Sequence, residues 1–235
     1  MLAQDWARLI ALLEGRPDTD PMTRTQGLCE LCVSVTGVTG AALAVASQEH
    51  RSTVCASDVV SGRLEDLQLT LAQGPTVDAL RTGRPVLVSD LADPTVSPWQ
   101  LFAPAAVESG AQAMFVLPVR VGATALGALL ILYRARTGGL SAEEFQDART
   151  LAGAAAVLLT VGDEKNAPQN LLWTVDERSG FQREVHQAVG ATMDQLDVTT
   201  QEAFALICAH AFATSRPIAE VADDILADRL RLKAN

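Results

Sequence analysis

Phe181–Leu230 reads FQREVHQAVGATMDQLDVTTQEAFALICAHAFATSRPIAEVADDILADRL. Three helical periods follow one another here with almost no connecting residues. In the first, Val185, Ala188, Val189, Met193 and Leu196 recur at steps of three and four, which draws one apolar stripe. Thr199-Thr200-Gln201-Glu202 has the S/T-x-x-E form of a capping box, so a second helix opens at Thr199. Ala203, Phe204, Ile207, Cys208 and Ala211 form its buried face. Pro217 breaks that helix, because proline disfavours helix in the residue before it and fits a first turn. The third helix carries Ile218, Val221, Ala222, Ile225 and Leu226 on one side. About fifty residues in three short helices bury too little surface to stand alone. The stretch therefore needs the rest of the chain, a coiled-coil extension or a second subunit.

Working outward, 235 residues with 49% hydrophobic content supply one domain of ordinary size and a small one. The formal charge of −10 argues against a sequence-independent binder of nucleic acid or anionic membrane. From Phe181 onward five basic side chains face eight acidic ones, and five minus eight leaves −3. Phosphates want the opposite sign, so any nucleic-acid contact here must be a local basic patch with base stacking. Leu151–Val161 is the longest apolar run at a helical site and falls well short of the roughly 20 residues of a membrane span. The N-terminal residues show no secretory pattern. These features predict a soluble, cytoplasmic protein.

Residues 3–14 predict an amphipathic helix with Trp6, Leu9, Ile10 and Leu13 on one face, and Met22–Val35 predicts a second. Ala41–Ser47 and Ser52–Ala56 read as a hairpin, while Leu64–Leu71 is ambiguous between helix and strand. Pro75 and Gly83 bracket a short helix, and Pro85–Ser89 reads as a strand. Ser97–Ser109 reads as a helix carrying Trp99 and stopped by Gly110. Ala113–Val121 and Ala125–Arg134 form the best strand pair, joined through Gly122. Ser141-Ala142-Glu143-Glu144 is another capping box. It opens a long helix whose Phe145, Ala148, Leu151, Ala152, Ala155, Leu158 and Leu159 make an alanine-rich face, suited to a dimer seam as well as to internal packing. This order of elements predicts an α+β domain with an antiparallel sheet flanked by helices, followed by a small C-terminal all-α three-helix domain.

Two resemblances sharpen this. His186-Gln187-Ala188-Val189-Gly190, Glu202-Ala203-Phe204, Ala209-His210-Ala211-Phe212-Ala213 and Arg216–Ala222 resemble the ANTAR domain of actinobacterial transcription antitermination regulators. That resemblance implies a three-helix RNA-binding module that acts as a homodimer on tandem RNA hairpin loops. Gln73–Val86 resembles the GEGPC-x-DA-x-x-TGRPV stretch of GAF domains, and Leu117–Gly122 with Leu126–Leu129 matches their central hairpin. GAF domains are sensor modules that hold small ligands between sheet and helices. Thr76 replaces the usual cysteine, which excludes thiol sensing at that position, and the ligand stays open. The domain boundaries expected are 1–165 for the GAF-like sensor with its N-terminal helices, 166–177 for a linker or coiled-coil lead-in, and 178–235 for the ANTAR domain.

Arg183 and Arg216 are the cations expected to meet phosphate or guanine, and His186, Gln187 and His210 complete the RNA-binding set. Packing or surface roles for the histidines, and macrodipole compensation by Arg229, Arg231 and Lys233, are the plainer alternatives. In the sensor half, Thr76 and Asp78 lie in a helix's first turn and Trp99 could cover a pocket, so these three form the ligand-binding set. Ordinary capping and core cover are their alternatives. Cys29 and Cys32 fall within a helical pattern and read as core; of the four cysteines only Cys55 is placed for sulfoxide chemistry. No catalytic, metal-binding or cofactor motif is present, which predicts a non-enzyme without cofactor or metal. Two further readings remain: a protein-interaction module with weak or lost RNA binding, and a DNA-binding helix-turn-helix, which Asp223 and Asp224 disfavour by repelling phosphate.

Overall fold

The computed structural model describes residues 3–14, 21–46, 51–121, 124–160, 180–214, 216 and 218–232. The N-terminal helices are α1 (Ala3–Glu14) and α2 (Pro21–Thr36). Strands β1 (Gly40–Ala46) and β2 (Arg51–Ala56) follow, then α3 (Val59–Leu71), α4 (Pro75–Thr82), β3 (Val86–Val88) and α5 (Phe102–Glu108). A long hairpin, β4 (Ala113–Val121) and β5 (Thr124–Arg134), precedes α6 (Ala142–Thr160). The C-terminal helices are α7 (Gly180–Leu196), α8 (Thr200–Ala213) and α9 (Ile218–Leu226). The linker expected at 166–177 lies outside the described residues.

The five strands make one antiparallel sheet in the order β2-β1-β5-β4-β3. Alternation along each strand sends its side chains to two different cores. Ala41, Leu43, Val45, Phe115, Leu117, Val119, Leu130 and Leu132 face α1, α2 and α6. Ala42, Ala44, Met114, Val116, Leu129, Ile131 and Tyr133 face α3, α4 and α5. With both faces covered, β1 and most of β4 and β5 read as continuous apolar runs and not as alternating ones.

Asp58 caps α3, accepting from the backbone N–H of Ser61 at 2.9 Å and from the hydroxyls of Ser57 and Ser61 at 3.0 Å each. That cap settles the ambiguous Leu64–Leu71 as helix and starts it five residues earlier. Gly40 lies beneath, where a Cβ would run into the Asp58 carboxylate and the Tyr133 ring. Both capping boxes form. Ser141 N–H donates to Glu144 at 2.6 Å while Glu144 N–H donates to Ser141 Oγ at 3.2 Å. Thr199 N–H donates to Glu202 at 2.9 Å, with the return bond at 3.3 Å.

Three expectations are corrected. Ile10 is 47% exposed, so of the expected α1 face Leu9 carries the burial; the side chains of Trp6 and Leu13 lie outside those described. Trp99 precedes α5, because Pro98 holds Ser97 away from helix and α5 is delayed to Phe102; Trp99 C=O accepts its i+4 bond from Ala103 at 2.9 Å. Pro104 falls in the first turn of α5, where its missing N–H costs nothing. The alanine-rich face of α6 packs inside the chain against α2 and β4 and is no exposed dimer seam.

The C-terminal helices enclose their own core of Val185, Ala188, Val189, Ala203, Ile207, Cys208, Ala211, Ile218, Val221, Ala222 and Ile225, closed by Leu232. Asp197 at φ 53 ends α7 in the left-handed region. Helix α8 also lies against α3, the contact that joins the small domain to the sensor. The help these short helices need therefore comes in part from within the same chain.

Candidate RNA-contacting surface and sensor site

On the C-terminal domain, Gln187 is exposed on α7 and His210 is half-buried in the last turn of α8. The His210 carbonyl accepts from Thr214 N–H at 3.0 Å and from Thr214 Oγ1 at 2.7 Å. Arg183 and His186 lie on α7, and their side chains are outside those described.

Arg216 stands in the break between α8 and α9, its N–H donating to Ala211 C=O at 2.9 Å. Its Nη2 meets Asp224 Oδ2 at 2.7 Å and its Nε meets Glu220 Oε2 at 3.4 Å. Asp224 serves two cations, since Arg229 Nε reaches its other oxygen at 2.7 Å. The hydrogen bond from Arg216 and then that from Arg229 hold the Asp224 carboxyl below its usual value, while Asp224 raises Arg216. Arg231 meets Asp228 through two bonds of 2.8 and 3.0 Å. Sequence reading could place Arg216 beside Glu220 by i+4 spacing. The fan around Asp224 was hidden, because it needs the chain to turn back after α9.

The ligand-binding set of the sensor splits in two. Asp78 and Trp99 come together: Trp99 Nε1 donates to Asp78 Oδ2 at 3.2 Å, and Arg81 meets the other oxygen at 3.2 Å. Trp99 is 8% exposed and stands edge-to-face on Phe102, with centroids 6.3 Å apart. Thr76 turns inward and is fully buried. Its N–H donates to Gln68 Oε1 at 2.7 Å and its Oγ1 to Glu65 Oε1 at 2.8 Å; Gln68 Nε2 donates to Thr76 Oγ1 at 2.8 Å and to Glu65. Gly74, at φ 133, admits this arrangement, because a Cβ there would strike the Gln68 side chain. The cluster joins α3 to α4 beneath the sheet and was missed by motif reading, because Glu65 and Gln68 fell in the ambiguous segment. Among the described residues no group of histidine, cysteine or carboxylate side chains is arranged to hold a metal ion.

The GAF domain family profile matches residues 19–160 and the ANTAR domain profile matches 180–226. The chain is a GAF–ANTAR protein. Its sensor half is similar to the GAF domain of a phosphoenolpyruvate-protein phosphotransferase (ptsP) from Coxiella burnetii, at 13% identity and TM-score 0.52. That similarity covers 66% of this chain and 90% of the other, and it shows the fold alone. Another similar structure is residues 122 to 287 of a methyl-accepting chemotaxis protein, at 14% identity and TM-score 0.47, covering 67% of this chain and 96% of that one. The GAF domain from the Acinetobacter phosphoenolpyruvate-protein phosphotransferase matches at 9% identity and TM-score 0.47, covering 67% and 94%. No curated protein matches. The GAF–ANTAR chain thus joins a sensory module to a module of the RNA-binding antitermination regulator family. No described helix is long and apolar enough to cross a membrane.

Proposed function

We propose that this GAF–ANTAR protein is a signal-responsive RNA-binding regulator acting in transcription antitermination in the cytoplasm, as a homodimer that engages tandem hairpin loops. The observation that carries this reading is the ANTAR match over α7, α8 and α9, which hold all of the small domain's buried core except Leu232. Domain boundaries at 165/166 and 177/178 go with it. RNA would meet Arg183, His186 and Gln187 on α7, with His210 and Arg216 at the far end of α8. Splayed loop bases stack on imidazole and guanidinium planes and need few cations, which suits a domain of this charge. Exposed ion pairs such as Arg216–Glu220 are screened by water and hold the side chain weakly, so a phosphate can take over the arginine.

Input would enter at the sensor face where Asp78 meets Trp99. A small ligand there can act only by binding one arrangement of α3 and α8 better than another. The chain supplies no catalytic step in this reading. The test is a gel-shift of the full chain with a tandem-hairpin RNA, a single hairpin and a plain duplex. Preference for the tandem RNA supports the reading; equal or absent binding overturns it.

One observation favours a second reading. Arg216, Arg229 and Arg231, the arginines of the domain whose side chains are described, each face a carboxylate. A surface so paired suits a protein-interaction module with weak or lost RNA binding. Co-purification of a protein that survives nuclease treatment, together with a negative gel-shift, would select it.

A further inference from the structure

The core between the sheet and helices α1, α2 and α6 hides a chemical pair that lies apart in sequence. Cys29, fully buried on α2, places its Sγ 2.6 Å from the Sγ of Cys55, 26 residues later on β2. A β-bulge makes this meeting possible. Register shifts between Leu43 and Ala44, so Val54 is an extra residue on β2 and both Val54 and Cys55 enter the core under α2. Cys55 Sγ also donates to Thr25 C=O at 3.1 Å, a second link to α2. Its strand lies at the sheet edge and Cys55 is 8% exposed, whereas Cys29 and Cys32 are 0% exposed.

We propose that Cys29 and Cys55 are a redox-active dithiol, oxidised by small hydroperoxides to a disulfide that ties α2 to the edge strand. The sulfurs need to close only from 2.6 Å to the bond length of about 2.05 Å. Cys55, nearer the surface, attacks the peroxide: its sulfur gains an oxygen, the O–O bond breaks, and an alcohol or water leaves. Cys29 then attacks the resulting sulfenic acid, forming the S–S bond and releasing water. Each sulfur loses one electron and the peroxide gains two. The hydrogen bond with the Cys55 thiol, and then burial, hold Cys29 protonated, so the reaction is slow compared with that of a free thiol. The site differs from the position of Thr76, and it gives the sensor half an input independent of any ligand at Asp78 and Trp99. Because α2 packs on α6, the cross-link stiffens the layer that leads out of the sensor.

The experiment treats the reduced full chain with hydrogen peroxide, then blocks remaining thiols with N-ethylmaleimide after denaturation. Digestion with trypsin and a protease that cuts after Glu30 separates Cys29 from Cys32. We expect two blocked thiols, Cys32 and Cys208, a Cys29–Cys55 cross-linked peptide pair, and reversal by dithiothreitol. The folded oxidised chain gains about 5 °C in Tm. Cys32→Ser and Cys208→Ser retain the cross-link, and Cys29→Ser leaves a dimedone-reactive Cys55. Four blocked thiols, a different pairing, or over-oxidised Cys55 without a cross-link would overturn the proposal. These readouts use no RNA, so the proposed function can fail while this inference holds.

Discussion

Arg134 ends β5 with its side chain 5% exposed, and its removal is expected to destabilise the sensor by about 3 kcal/mol. Its Nη1 donates to Gly139 C=O at 2.8 Å and its Nη2 to Thr36 C=O at 3.3 Å, the last carbonyl of α2. Nη2 also meets Glu144 at 2.6 Å, the carboxylate of the α6 capping box, and the guanidinium lies 5.7 Å from the Phe115 ring centroid. One side chain therefore ties together the end of α2, the start of α6 and the sheet. In Arg134→Met the buried Thr36 carbonyl, left without its partner, costs about 2 kcal/mol, the exposed Gly139 carbonyl, free to turn to water, loses about 1, and the ion pair to the partly exposed Glu144 adds at most about 1. Methionine keeps the apolar stem over Phe115. It also removes a buried charge whose Nε has no hydrogen-bond partner among the described residues, which returns about 1 kcal/mol. Net loss is about 3 kcal/mol, or a fall of roughly 6–12 °C in the sensor's Tm. Urea unfolding followed by circular dichroism measures it, with Glu144→Gln as the milder arm at about 1 kcal/mol. Buried ion pairs are sometimes better replaced by apolar groups. A change below about 0.5 kcal/mol, or a gain, would refute the assignment of Arg134 as the tie between the helices.

Other outcomes follow from single residues. Burial, then the charge of Glu65, pushes the Asp66 carboxyl up to about 7 from 3.8. In the folded chain Asp66 stays protonated below that value, whereas unfolded it ionises near 4, so stability is full below about pH 4 and is lost as pH rises through 7. Asp66→Asn removes the loss: relative to wild type it should gain from pH 4 to 7 and level off above, at about 1–2 kcal/mol once solvent screening of a half-buried group is allowed for. A difference flat in pH would contradict this. Ala72, exposed at the C-cap of α3 with φ 49, pays for a left-handed backbone that glycine adopts freely. Ala72→Gly should stabilise by about 0.5–1 kcal/mol in thermal unfolding, and a loss would count against that cap geometry.

Local signals carried most of the fold. Both capping boxes, the Pro75 and Gly83 brackets and the β4–β5 hairpin depend on residues within a few positions of one another, so sequence displays them. The alanine-rich face of α6 was legible as apolar, but what it packs on is decided by α2, more than a hundred residues earlier. Trp99 drifted out of its helix because one proline outweighed an apolar period. The arrangement around the proposed sensor residues was legible in part. Asp78 and Trp99 do meet, while Thr76 belongs to a buried cluster whose other members lay in the segment without a clear period. The Cys29–Cys55 contact depends on a strand bulge and a helix crossing, for which no spacing rule exists. The bond from Arg229 to Asp224 depends likewise on the chain's return after α9.

The proposal that the C-terminal domain reads RNA by local contacts, and not through a positive field, is tested most directly by the salt dependence of binding. A tandem-hairpin RNA is titrated with the full chain across a series of salt concentrations. About two phosphate contacts per hairpin give a slope of log K against log salt near −1.4 for each hairpin engaged. A slope between about −1 and −2 per hairpin agrees with the account. No binding at the lowest salt, or a slope steeper than about −4 per hairpin, contradicts it.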